Sequence, residues 1–560
     1  MEPRKNEMEE TSRKEKRDQI EPQALGHERP TPQPLKELET ALDLLKKPDD
    51  TSRLVGLALL KPVLEQELSQ GNSEDEGQKD ALILRCWRAI PAKFLDGLLK
   101  ARASDKTPKE EASNMIGLAV AVMHAFMRLM GSHQTDAKFV GRVPLLMATL
   151  RSCPWETSTQ IIDIVHGLIM TPEGSLAVFQ TDVKTSDTDQ KPSVYLLITM
   201  LLIDIRSTIP SLQEKLHSDN YPAISARLSR AYDIVSAFVV YLVRSLEKML
   251  DDESSNRSFS APLPVDLLLK IRTNISESMS LTIEYLRDRY DSSTAGAAGL
   301  HADARASNGQ SSSDPLPIAW DTSSGIFSDS LVLAQLSCLS LWLRDEDNDA
   351  LRKEATGIVD VLLALYEKGE DGRALGENGN DNKDGNRIFR STVLVALEGI
   401  VETPEGADAF LHEGGWKTLA SDLTELAPKI EERLRGIEIV RVLLAVLESD
   451  VAGSTKEEWM PLISLANSAL ALTSDEENLE FGIAVSQLAV ELLVRAPRGV
   501  MNKNREAAIK LLRRAEALST KDYADVGIED GLEEVVEGLE SLQLGNELGA
   551  DRLVIIDPGL

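Results

Sequence analysis

Aromatic residues are scarce in this sequence: Phe, Tyr and Trp together make up 4% of it. β-Sandwiches and barrels draw more heavily on these side chains, and the Leu, Ala and Glu that dominate here favour helix. Cysteine is scarcer still. Cys86, Cys153 and Cys338 are odd in number, far apart and set in apolar segments. That excludes a disulfide framework and reads as buried, reduced thiols of an intracellular protein. Positive charge is short, at 61 − 91 = −30. An acidic surface repels phosphate backbones and anionic lipid, so neither nucleic acid nor a membrane is the expected partner. Long apolar runs are missing too. VYLLITMLLI from Val194 is among the longest, at about half of the ~20 residues that a bilayer needs. The opening MEPRKNEMEETSRKEKRDQIEPQ has no apolar core and is no secretory signal. The expected location is cytoplasmic, with nuclear access left open.

Catalytic signatures are also absent. There is no P-loop, no dinucleotide fingerprint after a strand, no HExxH and no GxSxG elbow. The histidines (His27, His124, His133, His166, His217, His301 and His412) make no metal spacing with Cys or with each other, so surface or capping roles are expected. Two stretches imitate calcium loops. From Asn380, NDNKDG places Asn380, Asn382, Asp384 and Gly385 suitably but puts Ser391 where a bidentate Glu is required. DEDNDA from Asp345 has Ala350 at the glycine position and Thr356 at the last one. Both read as solvated turns. No catalytic residue, cofactor or metal is expected, and the chain reads as a non-enzyme.

What is present is leucine at helical spacing, from Leu35 almost to the end. Leu267, Ile271, Ile275, Met279, Ile283 and Leu286 step by four and three with polar residues between them, as do Ile224, Leu228, Ala231, Val235, Phe238, Leu242 and Leu246. MIGLAVAVMHAF from Met115 is apolar on nearly every face and must be sandwiched between other helices. Asp49-Asp50-Thr51-Ser52 forms a capping cluster before RLVGLALLKPVL. No run of alternating strand character stands out.

Polar insertions interrupt the helices at 71–80, 181–192, 292–327 and 369–386. The expected layout is a disordered tail (1–33), an amino-terminal helical-repeat half (34–291), a flexible insertion (292–327), a carboxy-terminal helical-repeat half (328–546) and a terminal tail (547–560).

The tetrapeptide TPEG occurs twice, at Thr171 and Thr403, each time between a Gly-aliphatic-aliphatic triplet and an apolar run. Thr caps a helix, Pro suits its first turn and Glu complements the dipole. Each copy therefore starts a short helix, and Gly174 and Gly406 serve close packing. Helix, turn, short helix, Gly turn, helix is the layout of an armadillo-type repeat. The expected fold is all-α, an armadillo/HEAT-like α-solenoid of roughly twenty helices.

Several segments, taken in order, resemble the neurochondrin family. They are SRLVGLALLKPVLEQ (52–66), LRCWRAIPAKFLDGLLK (84–100), GLAVAVMHAFMRLMGS with KFVGRVPLLMATLR (117–151), IIDIVHGLIMTPEGSLAVF (161–179), LSCLSLWLRDEDNDALRKEATGIVDVLLALYEKG (336–369) and VETPEGADAFLHEGGWKTL (401–419). The resemblance rests on their order and spacing and fades beyond residue 450. It implies an armadillo-like helical fold, a non-enzymatic role through protein contacts and a cytoplasmic home. Animal members are linked to neurite outgrowth and signalling.

One charge feature stands out. Arg495, Arg498, Lys503, Arg505, Lys510, Arg513 and Arg514 fall in a stretch with a single acid, Glu506, and residues 522–551 then hold ten carboxylates and no Lys or Arg. Two readings fit: a basic docking surface masked by the acidic helix at 528–541, or two neighbouring helices whose charges face each other. The expected function is a scaffold or adaptor that binds protein partners on a helical-repeat surface. The alternatives are an importin-like transport or assembly adaptor and a helical enzyme regulator. Trp87, Trp155, Trp320, Trp342, Trp416 and Trp459 lack the regular Trp and Asn spacing of the importin type.

Overall fold

The computed structural model describes residues 33–69, 76–103, 108–130, 137–181, 191–216, 218–251, 263–295, 329–345, 349–371, 381–449, 456–471, 476–521, 523 and 525–542. Among them every regular element is helical. The expected tails, most of the 292–327 insertion and His27, His133, His217, His301 and Trp320 lie outside the described residues. The chain divides into two units, Met1–Phe94 and Leu95–Leu560.

In the first unit α1 (Gln33–Lys46) packs along α2 (Asp50–Ser69), and α3 (Glu76–Ala89) touches α1. Leu38, Ala41, Leu42 and Leu45 of α1 and Leu57, Leu60 and Leu64 of α2 are buried. The capping cluster works as expected. Asp49 Oδ1 accepts a 2.7 Å hydrogen bond from the Ser52 N–H, and this bond holds the Asp49 carboxyl below the usual carboxylate range. Helix α4 (Ala92–Leu99) begins at the unit boundary.

The second unit is a stack of two helical rows. The first row contains α5 (Lys109–Leu129), α8 (Trp155–Ile169), α11 (Tyr221–Asp251), α13 (Ser330–Asp345), α16 (Asp381–Val401), α19 (Arg433–Glu448), α21 (Glu476–Val494) and α23 (Val526–Ser541). Each of these packs against the next. The second row runs through α7 (Val143–Leu150), α10 (Ser193–Thr208), α12 (Val265–Ala295), α14 (Asp349–Ala355), α17 (Pro404–His412), α18 (Gly415–Leu426), α20 (Pro461–Ala471) and α22 (Arg498–Ser519), again neighbour to neighbour. Short helices α6 (Ala137–Val140) and α9 (Pro172–Phe179), together with α15 (Val359–Asp371), fill the connections. Serial contact between neighbouring repeats is the defining property of an α-solenoid.

Periodicity anticipated the cores. All six apolar positions of α12, from Leu267 to Leu286, are buried. In α5 the expected sandwiching is met: Ile116, Ala119, Val120, Val122, Met123 and Phe126 are buried around the helix. By length and apolarity Lys109–Leu129 and Ser193–Ser211 are long enough to cross a membrane, and half of each apolar window is buried within the fold. Two expectations need correction. Leu246 is 59% exposed, although it continues the apolar period of α11. Residues 381–385 of NDNKDG form the first turns of α16 and not a solvated turn. Acidic residues suit a helix amino terminus, and this outweighs the turn preference of Asn, Asp and Gly.

The TPEG copies occupy equivalent places. Thr171 Oγ1 accepts from the Gly174 N–H at 3.3 Å and caps α9, and Thr403 Oγ1 accepts from the Gly406 N–H at 3.2 Å and caps α17. Each hydroxyl also donates back to the preceding first-row helix, to Leu168 O and Ile400 O. A Cβ on Gly174 would sit 2.1 Å from Leu168 O, and one on Gly406 2.0 Å from Ile400 O. Glycine is required there because the short helix starts directly against the end of the long one. Gly167 and Gly399, seven residues before Gly174 and Gly406, repeat the pattern and lie against Met127 of α5 and Leu343 of α13.

Candidate protein-binding surface

Several polar side chains of the first row pair across helices. His124 Nε2 of α5 lies 3.0 Å from Asp163 Oδ2 of α8, and Arg230 of α11 donates to the other oxygen, Oδ1, at 2.7 Å. His166 Nε2 of α8 lies 2.9 Å from Asp233 Oδ2 of α11. These histidines are half-buried links between helices, not the surface or capping groups that their spacing along one helix implied; His412 is exposed beside Glu413. Further along, Ser391 of α16 donates to Glu438 of α19, and Gln487 of α21 donates to Glu534 of α23 at 2.7 Å. Burial pushes the Glu398 carboxyl of α16 above the usual range, while Arg441 and Arg344 pull it down. Among the described residues no group of His, Cys, Asp and Glu is arranged to hold a metal ion.

A second polar cluster is buried. Asp422 of α18 accepts from Tyr366 of α15 at 2.5 Å and from Arg390 of α16 at 2.8 Å through Oδ2, and from Arg435 of α19 at 3.5 Å through Oδ1. Arg390 stacks over the Tyr366 ring, 4.1 Å from its centroid. The cluster joins four helices and is closed to solvent, which makes it a structural element.

The basic run falls mainly on α22, where its members have different surroundings. Arg495, just past α21, pairs with Glu491 one turn back. Lys503 Nζ reaches Glu457 Oε1 at 2.7 Å, and Arg514 donates to the carbonyl of Asn467 on α20. Arg505 is half-buried and engaged. Arg498, Lys510 and Arg513 are exposed and, among the described residues, have no ion-pair or hydrogen-bond partner. On the acidic helix α23, Glu534 is bound to Gln487 and Glu529 accepts from the Tyr523 backbone N–H.

Lys510 and Arg514 line a furrow of about 440 Å³ between α20 and α22, floored by Ser464, Ser468, Ala471 and Ala507. On the other side of α20 lies a cleft of about 420 Å³ shared with α18. Trp416 and Trp459 stack at its wall, with ring centroids 4.0 Å apart and planes 22° apart. Lys456 Nζ sits 5.2 Å from the Trp459 centroid, an attractive placement for a cation. Lys417 lines the same cleft, exposed and without a partner among the described residues. The pairing of Trp416 with Trp459 was missed in the sequence. Its signal was their separation of 459 − 416 = 43 residues, about one armadillo-type repeat.

No curated protein matches the chain in sequence. Among solved structures, that of SYS-1 shares 13% identity at a TM-score of 0.37, covering 91% of this chain and 85% of that one. A circular tandem repeat protein with novel repeat topology shares 12% identity at a TM-score of 0.19, covering 93% and 97%. The neurochondrin family model matches residues 31–183 and 173–497. With the matched segments running through both units and spanning both TPEG turns, the chain belongs to the neurochondrin family.

Proposed function

We propose that this chain is a non-enzymatic scaffold or adaptor of the cytoplasm, which holds protein partners on the helical surface of its second unit. The observation that carries the reading is local: Lys417 of α18 and Lys510 and Arg513 of α22 are exposed beside shallow clefts and have no partner among the described residues, in a chain of net charge −30. Unpaired charge at the rim of shallow clefts suits recognition of another macromolecule more than enclosure of a small substrate. Family membership supports the helical-repeat scaffold. The test is cross-linking mass spectrometry on the full-length chain purified from cells. A partner recovered in stoichiometric amount and cross-linked to the second unit is expected. Purified chain that retains no partner and turns over a small molecule would overturn the reading.

A further inference from the structure

We propose that the exposed faces of α18, α20 and α22 form one recognition surface for an extended, Asp/Glu-rich segment of a partner protein, with one carboxylate seated in the cleft beside Trp416 and Trp459. This deepens the adaptor reading and rests on it.

On α20, Pro461, Ser464, Ser468 and Ala471 are exposed, at steps of three and four. Pro461 belongs to the wall of the Trp cleft, and the other three to the furrow against α22. The exposed face of α20 thus lies between the two depressions, which flank it on either side. The neighbours present matching faces: Lys417, Ser421 and Thr424 on α18, and Ala507, Lys510 and Arg514 on α22. Small side chains form the floor and long cationic ones the rim. Such a surface admits a peptide backbone at close range and offers it charge and hydroxyls.

Charge selects the occupant. Lys417, Lys510 and Arg513 have no partner among the described residues, and Lys456 is held by a ring and not by a carboxylate. Two acids stand among these cations, Glu458 in the Trp cleft and Glu506 beside Lys510 and Arg513 on α22, so the excess is local and positive, not uniform. Trp416 is buried, and its Nε1–H is closed to solvent and has no acceptor. The cations open to an incoming ligand in the Trp cleft are the ammonium groups of Lys417 and Lys456, and together they suit an oxygen anion. A carboxylate on a peptide fits this chemistry, while a nucleic acid would be repelled by the remaining surface. Charge-assisted contacts of this kind mainly set association rate and specificity, and salt screens them.

The test is fluorescence anisotropy with the full-length chain and a labelled Glu-rich peptide, alongside the same peptide with Gln at every Glu. K510E/R513E and K417E/K456E are the variants. Apart from the contact of Lys456 with the Trp459 ring, these cations support nothing internal, so circular dichroism and melting should be unchanged. Binding of the Glu peptide is expected to weaken as salt rises and to fall about tenfold or more in each variant, with the Gln peptide silent. Affinities within about twofold of the parent in both variants would overturn the proposal. So would equal binding of the Gln peptide, or tighter binding of a single-stranded RNA oligonucleotide. Concentration-dependent self-association abolished by the same variants would assign the surface to a second copy and overturn it as well. If a cellular partner still cross-links to first-row helices in K510E/R513E, this proposal falls and the adaptor reading stands; if no partner is retained by any form, the adaptor reading falls.

Discussion

Arg390 Nη2 donates to Asp422 Oδ2 across 2.8 Å with both side chains almost wholly closed to solvent. Tyr366 and Arg435 complete the shell around the carboxylate. A buried pair is weak evidence of net stabilisation, but removing one member strands the other charge, at a cost of about 3–5 kcal/mol. Asp422→Ala is expected to destabilise on that scale. In a repeat array the loss is local before it is global. Hydrogen exchange should therefore accelerate first in α15, α16, α18 and α19, and unchanged protection there would refute the assignment. Tyr366→Phe removes one hydrogen bond to a charged group and should cost about 1.5–3 kcal/mol.

The two TPEG glycines make a paired prediction. Gly174→Ala and Gly406→Ala would each drive a Cβ to about 2 Å from a backbone carbonyl oxygen, and backbone cannot rotate away as a side chain can. Overpacking in cores typically costs 1–3 kcal/mol, and a backbone clash belongs at or above about 3 kcal/mol. Melting temperature should drop in both variants by similar amounts. The sites are 232 residues apart in sequence and belong to separate repeats, so the double variant should be near-additive in urea titration. A neutral Gly406→Ala would mean that α17 does not start against Ile400.

The capping threonines test the same turn more gently. Thr171→Ala and Thr403→Ala each remove an acceptor for a helix N–H and a donor to the preceding helix. A loss of about 1 kcal/mol per site is expected, and Thr→Ser should recover most of it by keeping the hydroxyl. Chemical denaturation of the three forms at each site measures this; equal loss in Ala and Ser variants would assign the effect to the methyl group.

Helix positions, the core of α12 and the TPEG turn were legible because each is written in local spacing: a period of 3.6, or a cap followed by Pro and Glu. The extent of cover was not. Leu246 continues the inward-facing period of α11 and yet is exposed. Partnerships across helices were hidden as well. His124 and Arg128 share a face of α5, yet His124 finds its acid on α8, thirty-nine residues away. The basic run was visible as composition, but composition could not separate Lys503 and Arg514, which are engaged, from Lys510 and Arg513, which are not. The Trp416–Trp459 stack depends on the register between α18 and α20, and that register is set by tertiary packing.

Thiol chemistry should separate the three cysteines. Cys86 and Cys338 are buried, and burial pushes their thiols up to about 11 and about 12 from an ordinary 9.0. Cys153 is half-exposed, with Sγ 3.1 Å from the Ser158 hydroxyl. The thiolate is the reactive species. Iodoacetamide at pH 8 should therefore modify Cys153 in the native chain and leave Cys86 and Cys338 until the chain is unfolded. Peptide mapping by mass spectrometry reads this directly. The sign of the linkage follows. A raised folded-state pKa favours the neutral thiol in the fold, so this contribution to stability is complete below pH 9.0 and is lost as pH climbs towards 11 and 12. Cys338→Ala should flatten the alkaline arm of the second unit's stability, and Cys86→Ala that of the first. Rapid native alkylation of Cys338 would show that α13 is not packed as described.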